Sequence, residues 1–150
     1  MIQRIQSVYL LLVAVLAIIT AALPIGAFYT DTDVYEMTNL YYTLPDGTLY
    51  YGPAILCALL IVAAAIAVMT IFLYRKRMRQ IRLTVINTFV LAAYYLAVVC
   101  FIVFAEEQDD SGFTLSWPLC LPLVSIILNW MAVRAIHKDE MLVKSYDRIR

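Results

Sequence analysis

Four long apolar runs dominate the chain, at residues 5–23, 54–74, 83–105 and 118–136. Each is about 20 residues, the length that crosses a hydrocarbon core of about 30 Å at about 1.5 Å per residue. None contains Asp, Glu or Lys, and Arg134 stands close to the end of the last. The pattern predicts an all-α integral membrane protein, an antiparallel four-helix transmembrane bundle. A signal peptide is the rival reading of the first run. That run exceeds a usual apolar region of about 7–15 residues and lacks a small-residue cleavage site before Pro24, so a retained span is expected.

The polar segments divide into two sets. Residues 24–53 and 106–117 form loops at one end of the bundle; the N-terminus, residues 75–82 and the tail 137–150 lie at the other. Within the first loop, Tyr41-Tyr42-Thr43-Leu44 and Thr48-Leu49-Tyr50-Tyr51 flank Pro45-Asp46-Gly47. Proline presets φ and glycine accepts a positive φ, so a β-hairpin capping the bundle between helices 1 and 2 is predicted. Asp33 to Asn39 offers a further strand. The cap's tyrosines read first as an interfacial aromatic belt and second as a partner surface. The second loop gathers Glu106, Glu107, Asp109 and Asp110, a solvated acidic loop rather than a calcium site, since it lacks EF-hand spacing. The tail reads as an amphipathic helix, with Leu142, Tyr146 and Ile149 on one face and Glu140–Lys144 at i, i+4.

Composition sharpens this picture. With 64% hydrophobic and 15% charged residues in 150, and a mean hydropathy of +0.84, a soluble domain is excluded. Formal net charge is zero, yet all 11 Lys and Arg fall on or next to the side bearing the termini. Eight of the 11 acidic residues fall on the other side, so the two sides carry +8 and −8. Basic residues in short loops are retained in the cytoplasm. Both termini are therefore expected to be cytoplasmic, in a bacterial-type inner membrane. Arg75, Lys76, Arg77, Arg79, Arg82, Lys138, Lys144 and Arg148 form a basic rim suited to anionic lipid headgroups or a protein partner. Nucleic acid is not expected, because lipid contact and topology explain so short a basic linker between two spans.

Intramembrane polar residues are the usual seat of transport or chemistry. Here they are few and neutral: Asn87, Tyr94, Ser125 and Asn129, with Thr70, Thr84 and Thr88 nearby. Interhelical hydrogen bonding is their expected role, and a small polar cavity the alternative. Counting from the helix ends puts the asparagines in one layer with the threonines, and Tyr94 beside Ser125 near the midplane. Cys57, Cys100 and Cys120 lie in the outer third without a Cys-x-x-Cys pair, and the sequence leaves open whether two form a disulfide. The single His137 has no second ligand partner. No catalytic residue, metal site or cofactor motif stands out, and no enzyme is expected. Pairs such as Ala63 and Ala67 permit close helix approach. Pro122 is expected to leave the Pro118 carbonyl unpaired and bend the last span slightly.

Three stretches carry a likeness: Met1-Ile2-Gln3-Arg4-Ile5-Gln6-Ser7-Val8-Tyr9-Leu10; Phe72-Leu73-Tyr74-Arg75-Lys76-Arg77 with Gln80-Ile81-Arg82-Leu83; and the tail from His137 to Arg150. In these the chain resembles the Bacteroidetes membrane-protein family catalogued as domain of unknown function 4293. The resemblance implies a small four-span inner-membrane protein and carries over no activity. The leading expectation is a non-catalytic accessory or scaffold subunit binding a protein partner. The alternatives are a small-molecule transporter or lipid-binding protein acting as an oligomer, and thiol redox chemistry at the three cysteines.

Overall fold

The computed structural model describes residues 2–29, 34–43, 46–73, 77–108 and 112–147, with side chains at 2–4, 105–108 and 143–147 set aside. Within them run helices α1 (Ile2–Ala22), α2 (Ala54–Phe72), α3 (Arg77–Gln108) and α4 (Leu121–Asp147). Strands β1 (Pro24–Tyr29), β2 (Val34–Thr38), β3 (Tyr42–Thr43) and β4 (Leu49–Tyr50) link α1 to α2, and β5 (Gly112–Leu115) links α3 to α4.

Burial along the helices follows a heptad. The seam positions are Gln6, Leu10, Val13, Ala17 and Thr20 on α1, and Leu56, Leu60, Ala63, Ala67 and Thr70 on α2, with Ala14 and Ala64 buried beside them. On α3 they are Gln80, Thr84, Asn87, Leu91, Tyr94 and Val98, and on α4 Ser125, Asn129, Ala132 and Ile136. Steps alternate between three and four, the period that keeps one seam facing inward as helices supercoil. Each helix packs on its two sequence neighbours, with α1 closing the ring against α4.

Polarity in this bundle is inverted. Buried positions include glutamines, asparagines and threonines, whereas Phe89 is 71% and Leu96 70% exposed. Helices solvated by lipid have this distribution, because apolar side chains cost nothing in hydrocarbon while polar ones must find partners inside. Among the described residues, four helices are long and apolar enough to cross a membrane. They suggest a multi-pass membrane protein.

The cap is larger than the predicted hairpin. It is a five-stranded antiparallel sheet in the order β4-β3-β2-β1-β5. The turn ahead of β4 behaves as the sequence implies, with Gly47 at φ 73°; Leu44 and Pro45 lie outside the described residues. The strand expected over 33–39 forms as β2. The interior strand β1 and the edge strand β5 are additions. Pro24-Ile25-Gly26 reads as a helix stop, and residues 106–117 as an acidic loop, so neither run announces a strand alone; each is completed by pairing with the other. Gly26 allows it, because a Cβ there would collide with the Phe113 ring and the Thr114 carbonyl. Phe28 then stacks against Phe113 at 4.7 Å between ring centroids. Ile25, Phe28 and Met37 seal the sheet onto Leu56, Leu60, Leu91, Tyr94 and Val98.

Two helix ends differ from expectation. The last span opens with a 3-10 turn, Trp117–Cys120, in which the Leu121 amide bonds the Pro118 carbonyl. Pro122 thus sits in the first turn of α4, where its missing N–H costs nothing and no bend follows. At the other end, α4 runs without a break into the predicted tail helix.

Candidate functional site

Trp130, Arg134 and Lys138 stand at i, i+4 and i+8 on α4, and therefore on one face of it. The Arg134 guanidinium carbon lies 3.7 Å from the Trp130 ring centroid, a cation–π stack. This face meets α1 in a groove of about 560 Å³, lined by Ile5, Tyr9, Trp130, Met131, Arg134 and Lys138. On the other flank of Trp130, between α3 and α4, a second groove of about 400 Å³ is walled by Val85, Phe89, Ile127, Trp130 and Val133. Thr88 also lines it, but its hydroxyl donates to the Thr84 carbonyl at 3.0 Å, leaving the groove almost wholly apolar. Two apolar slots therefore flank one indole, and the cationic heads stand toward the terminus-bearing end.

The rest of the predicted rim divides. Arg77 is committed to α4: Nη2 lies 3.1 Å from Asp139 Oδ2 and Nη1 donates to the Asp139 carbonyl at 3.0 Å. Arg79, Arg82 and Lys138 are exposed. Arg75, Lys76 and Arg148 lie outside the described residues, as does the Lys144 side chain.

Nor do the four predicted intramembrane polar residues form one cavity. Tyr94 donates its hydroxyl to Asn39 Oδ1 at 2.9 Å, directly beneath the sheet. Ser125 donates to the Leu121 carbonyl of its own helix at 3.1 Å. Asn87 and Asn129 do come together in level. Each lies ten residues inward of the Arg77–Asp139 ion pair, about 15 Å along α3 and α4. The bond from the Tyr95 hydroxyl to the Leu119 carbonyl, 2.6 Å, fixes the same register from the far side. Both asparagines are fully buried, and their amide atoms find no partner among the described residues.

Asn39 is the residue sequence reasoning passed over. Its Nδ2 donates to the Thr20 and Leu23 carbonyls at 2.6 and 3.3 Å, closing the C-terminal end of α1. Its own carbonyl accepts from the Cys57 amide at 3.2 Å, near the start of α2. A turn from Thr38 to Tyr41, closed by Thr38 Oγ1 bonding the Tyr41 carbonyl at 2.7 Å and accepting its amide at 3.0 Å, aims it inward. The signal was present as Thr-Asn, a turn-forming pair, between two tyrosine-rich strands. For the groove, the signal was an aromatic and two cations at helical spacing, which a tally of charges per loop dissolves.

Cys57, Cys100 and Cys120 are free thiols, Cys57 half-buried and the other two exposed. The acidic side chains at 106–110 fall outside the described set.

No curated protein matches the chain. A family model described as "Domain of unknown function (DUF4293)" matches residues 2–149, nearly the whole sequence, and the chain belongs to that family.

Proposed function

We propose that this is a non-catalytic membrane protein that binds an anionic phospholipid on its terminus-bearing side, in the cytoplasmic leaflet of a bacterial inner membrane. The observation that carries the reading is the Trp130–Arg134 stack with an apolar groove on either side. A phospholipid has the complementary shape: one phosphate for Arg134 and Lys138, and acyl chains for the two slots. Arginine matches phosphate geometry bidentately, and stacking on the indole holds its fork in place. The charge asymmetry of the loops supports the cytoplasmic orientation.

Native mass spectrometry in detergent, with phosphatidylglycerol and phosphatidylcholine titrated in competition, tests the proposal. One bound phosphatidylglycerol should resist displacement. Removing both cations in R134A/K138A should abolish the preference, at about 1 kcal/mol per basic residue, or roughly 30-fold for the pair. Equal retention of the two lipids by the parent chain would overturn it.

A second reading, an accessory or scaffold subunit, draws on the sheet end. There Leu49, Tyr50, Tyr51, Leu115 and Trp117 are all exposed, offering edge strands and aromatics to a protein partner. A stoichiometric protein co-purifying from native membranes, and lost from W117A/Y50A, would favour it over the lipid reading.

A further inference from the structure

Buried polar groups divide sharply along the bundle axis. At the sheet end, Thr20, Asn39 and Tyr94 are all hydrogen-bonded within the protein. Toward the termini, Asn87 and Asn129 keep both amide atoms unpartnered, as does Gln6 at Nε2. The nearby hydroxyls do not resolve this. Thr70 and Thr84 donate to the Ile66 and Gln80 carbonyls of their own helices at 2.6 and 2.9 Å.

We propose that Asn87 and Asn129 form an intramembrane water site, hydrated from the terminus-bearing end of the bundle. Two primary amides at one level present donors and carbonyl acceptors in equal measure. Water donates and accepts equally and satisfies both. A cation would leave the N–H groups unpaired, an anion would leave the carbonyls unpaired, and the layer holds no acidic or basic side chain to favour either. The buried residues of α1 and α2 at this level, Val13, Ala14 and Ala67, are apolar and offer the two amides no protein partner. A buried water needs two to four polar partners, and this pair provides them.

Access follows from the neighbouring layers. Between the asparagines and the terminus-bearing end, the core positions are the polar Thr70 and Thr84 beside the apolar Leu10 and Ala132, then Gln6 and Gln80 beside Ile136, all buried. On the other side the core continues with Ala17, Ala63, Leu60 and Leu91, and the Ser125 hydroxyl there is donated to the Leu121 carbonyl of its own helix. Polar side chains of α1, α2 and α3 thus mark the way in from the terminus-bearing end, beside an apolar wall from α1 and α4.

The chain's only asparagines are Asn39, Asn87 and Asn129, so selective ¹⁵N-asparagine labelling reports the site directly and supplies a control. In lipid nanodiscs, the side-chain amides of Asn87 and Asn129 should show strong magnetisation transfer to water. Those of Asn39, whose donors are taken by Thr20 and Leu23, should show little. N87L and N129L assign the signals, and labelling of the parent chain gives the same readout through pattern and count if either variant fails to fold. Replacing sodium and potassium by choline should leave the transfer unchanged. Cross-peaks between the two amides with no transfer to water would overturn the proposal in favour of a direct bond. Transfer or chemical shifts that depend on the cation would overturn it in favour of an ion site.

Discussion

The two ends of the bundle solve the same problem in opposite ways. Both bury amide side chains in a structure whose outer surface is apolar. At the sheet end a single residue, Asn39, joins α1, α2 and α3 through its side-chain amide and its main-chain carbonyl. Toward the termini, two asparagines lie at one level of α3 and α4, their buried amides without a partner among the described residues. A satisfied network rigidifies a core, and an unsatisfied one is costly unless something else completes it. One end is therefore a clasp, and the other the proposed receptacle, with the two grooves beside Trp130 close by.

The largest expected effect tests the clasp. N39A removes the acceptor for Tyr94 and both donors that close α1, leaving buried groups unpaired on two helices. A loss of about 3 kcal/mol is expected, read as a fall in the midpoint of thermal unfolding in detergent. Y94F removes only one partner and should cost about 1 kcal/mol. If N39A were as mild as Y94F, the sheet would be held by its apolar underside alone and the clasp would be an ornament of the packing.

The receptacle should respond in the reverse sense. N87L leaves Asn129 buried with less to bond and should cost about 1–3 kcal/mol. N87L/N129L replaces both amides with side chains of the same branching and should recover most of that loss, because removing a polar pair together is nearly neutral. Measured by the same unfolding midpoint, a double variant less stable than either single one would mean that the two sites do not share a layer.

How far the sequence foretold this contrast depends on the range of the interactions. The four helices were legible because length and apolarity are local properties. The turn at Gly47 was legible for the same reason. Strands β1 and β5 were not, since each becomes a strand only by pairing with a segment more than 80 positions away, with Gly26 and Phe113 fitted to each other. Depth counting grouped Tyr94 with Ser125. Yet it could not anticipate that Tyr94 reaches up to a loop residue, because the partner lies outside the helices being counted. Depth counting also put Asn87 and Asn129 in one layer, and the register set by Arg77–Asp139 and Tyr95–Leu119 brings the two buried residues to one level.

The smallest effect concerns that register. Arg77 and Asp139 tie the start of α3 to α4, with the two side chains 26% and 16% exposed. Surface ion pairs contribute little, because solvent screens them and two long side chains must be ordered. This one is partly sheltered and adds a bond from the same guanidinium to a main-chain carbonyl. D139N should therefore cost less than about 1 kcal/mol and become milder still in high salt. R77A loses the carbonyl contact as well and should cost slightly more, with no salt dependence in the difference. If the pair served only stability, neither change would touch the proposed lipid site five residues inward of Asp139 at Arg134. If it sets the register of α4, R77A should also weaken phosphatidylglycerol retention, although Arg77 does not line either groove. Retention unchanged in R77A would assign the tie to the rim alone, and leave the alignment of the two asparagines to helix packing.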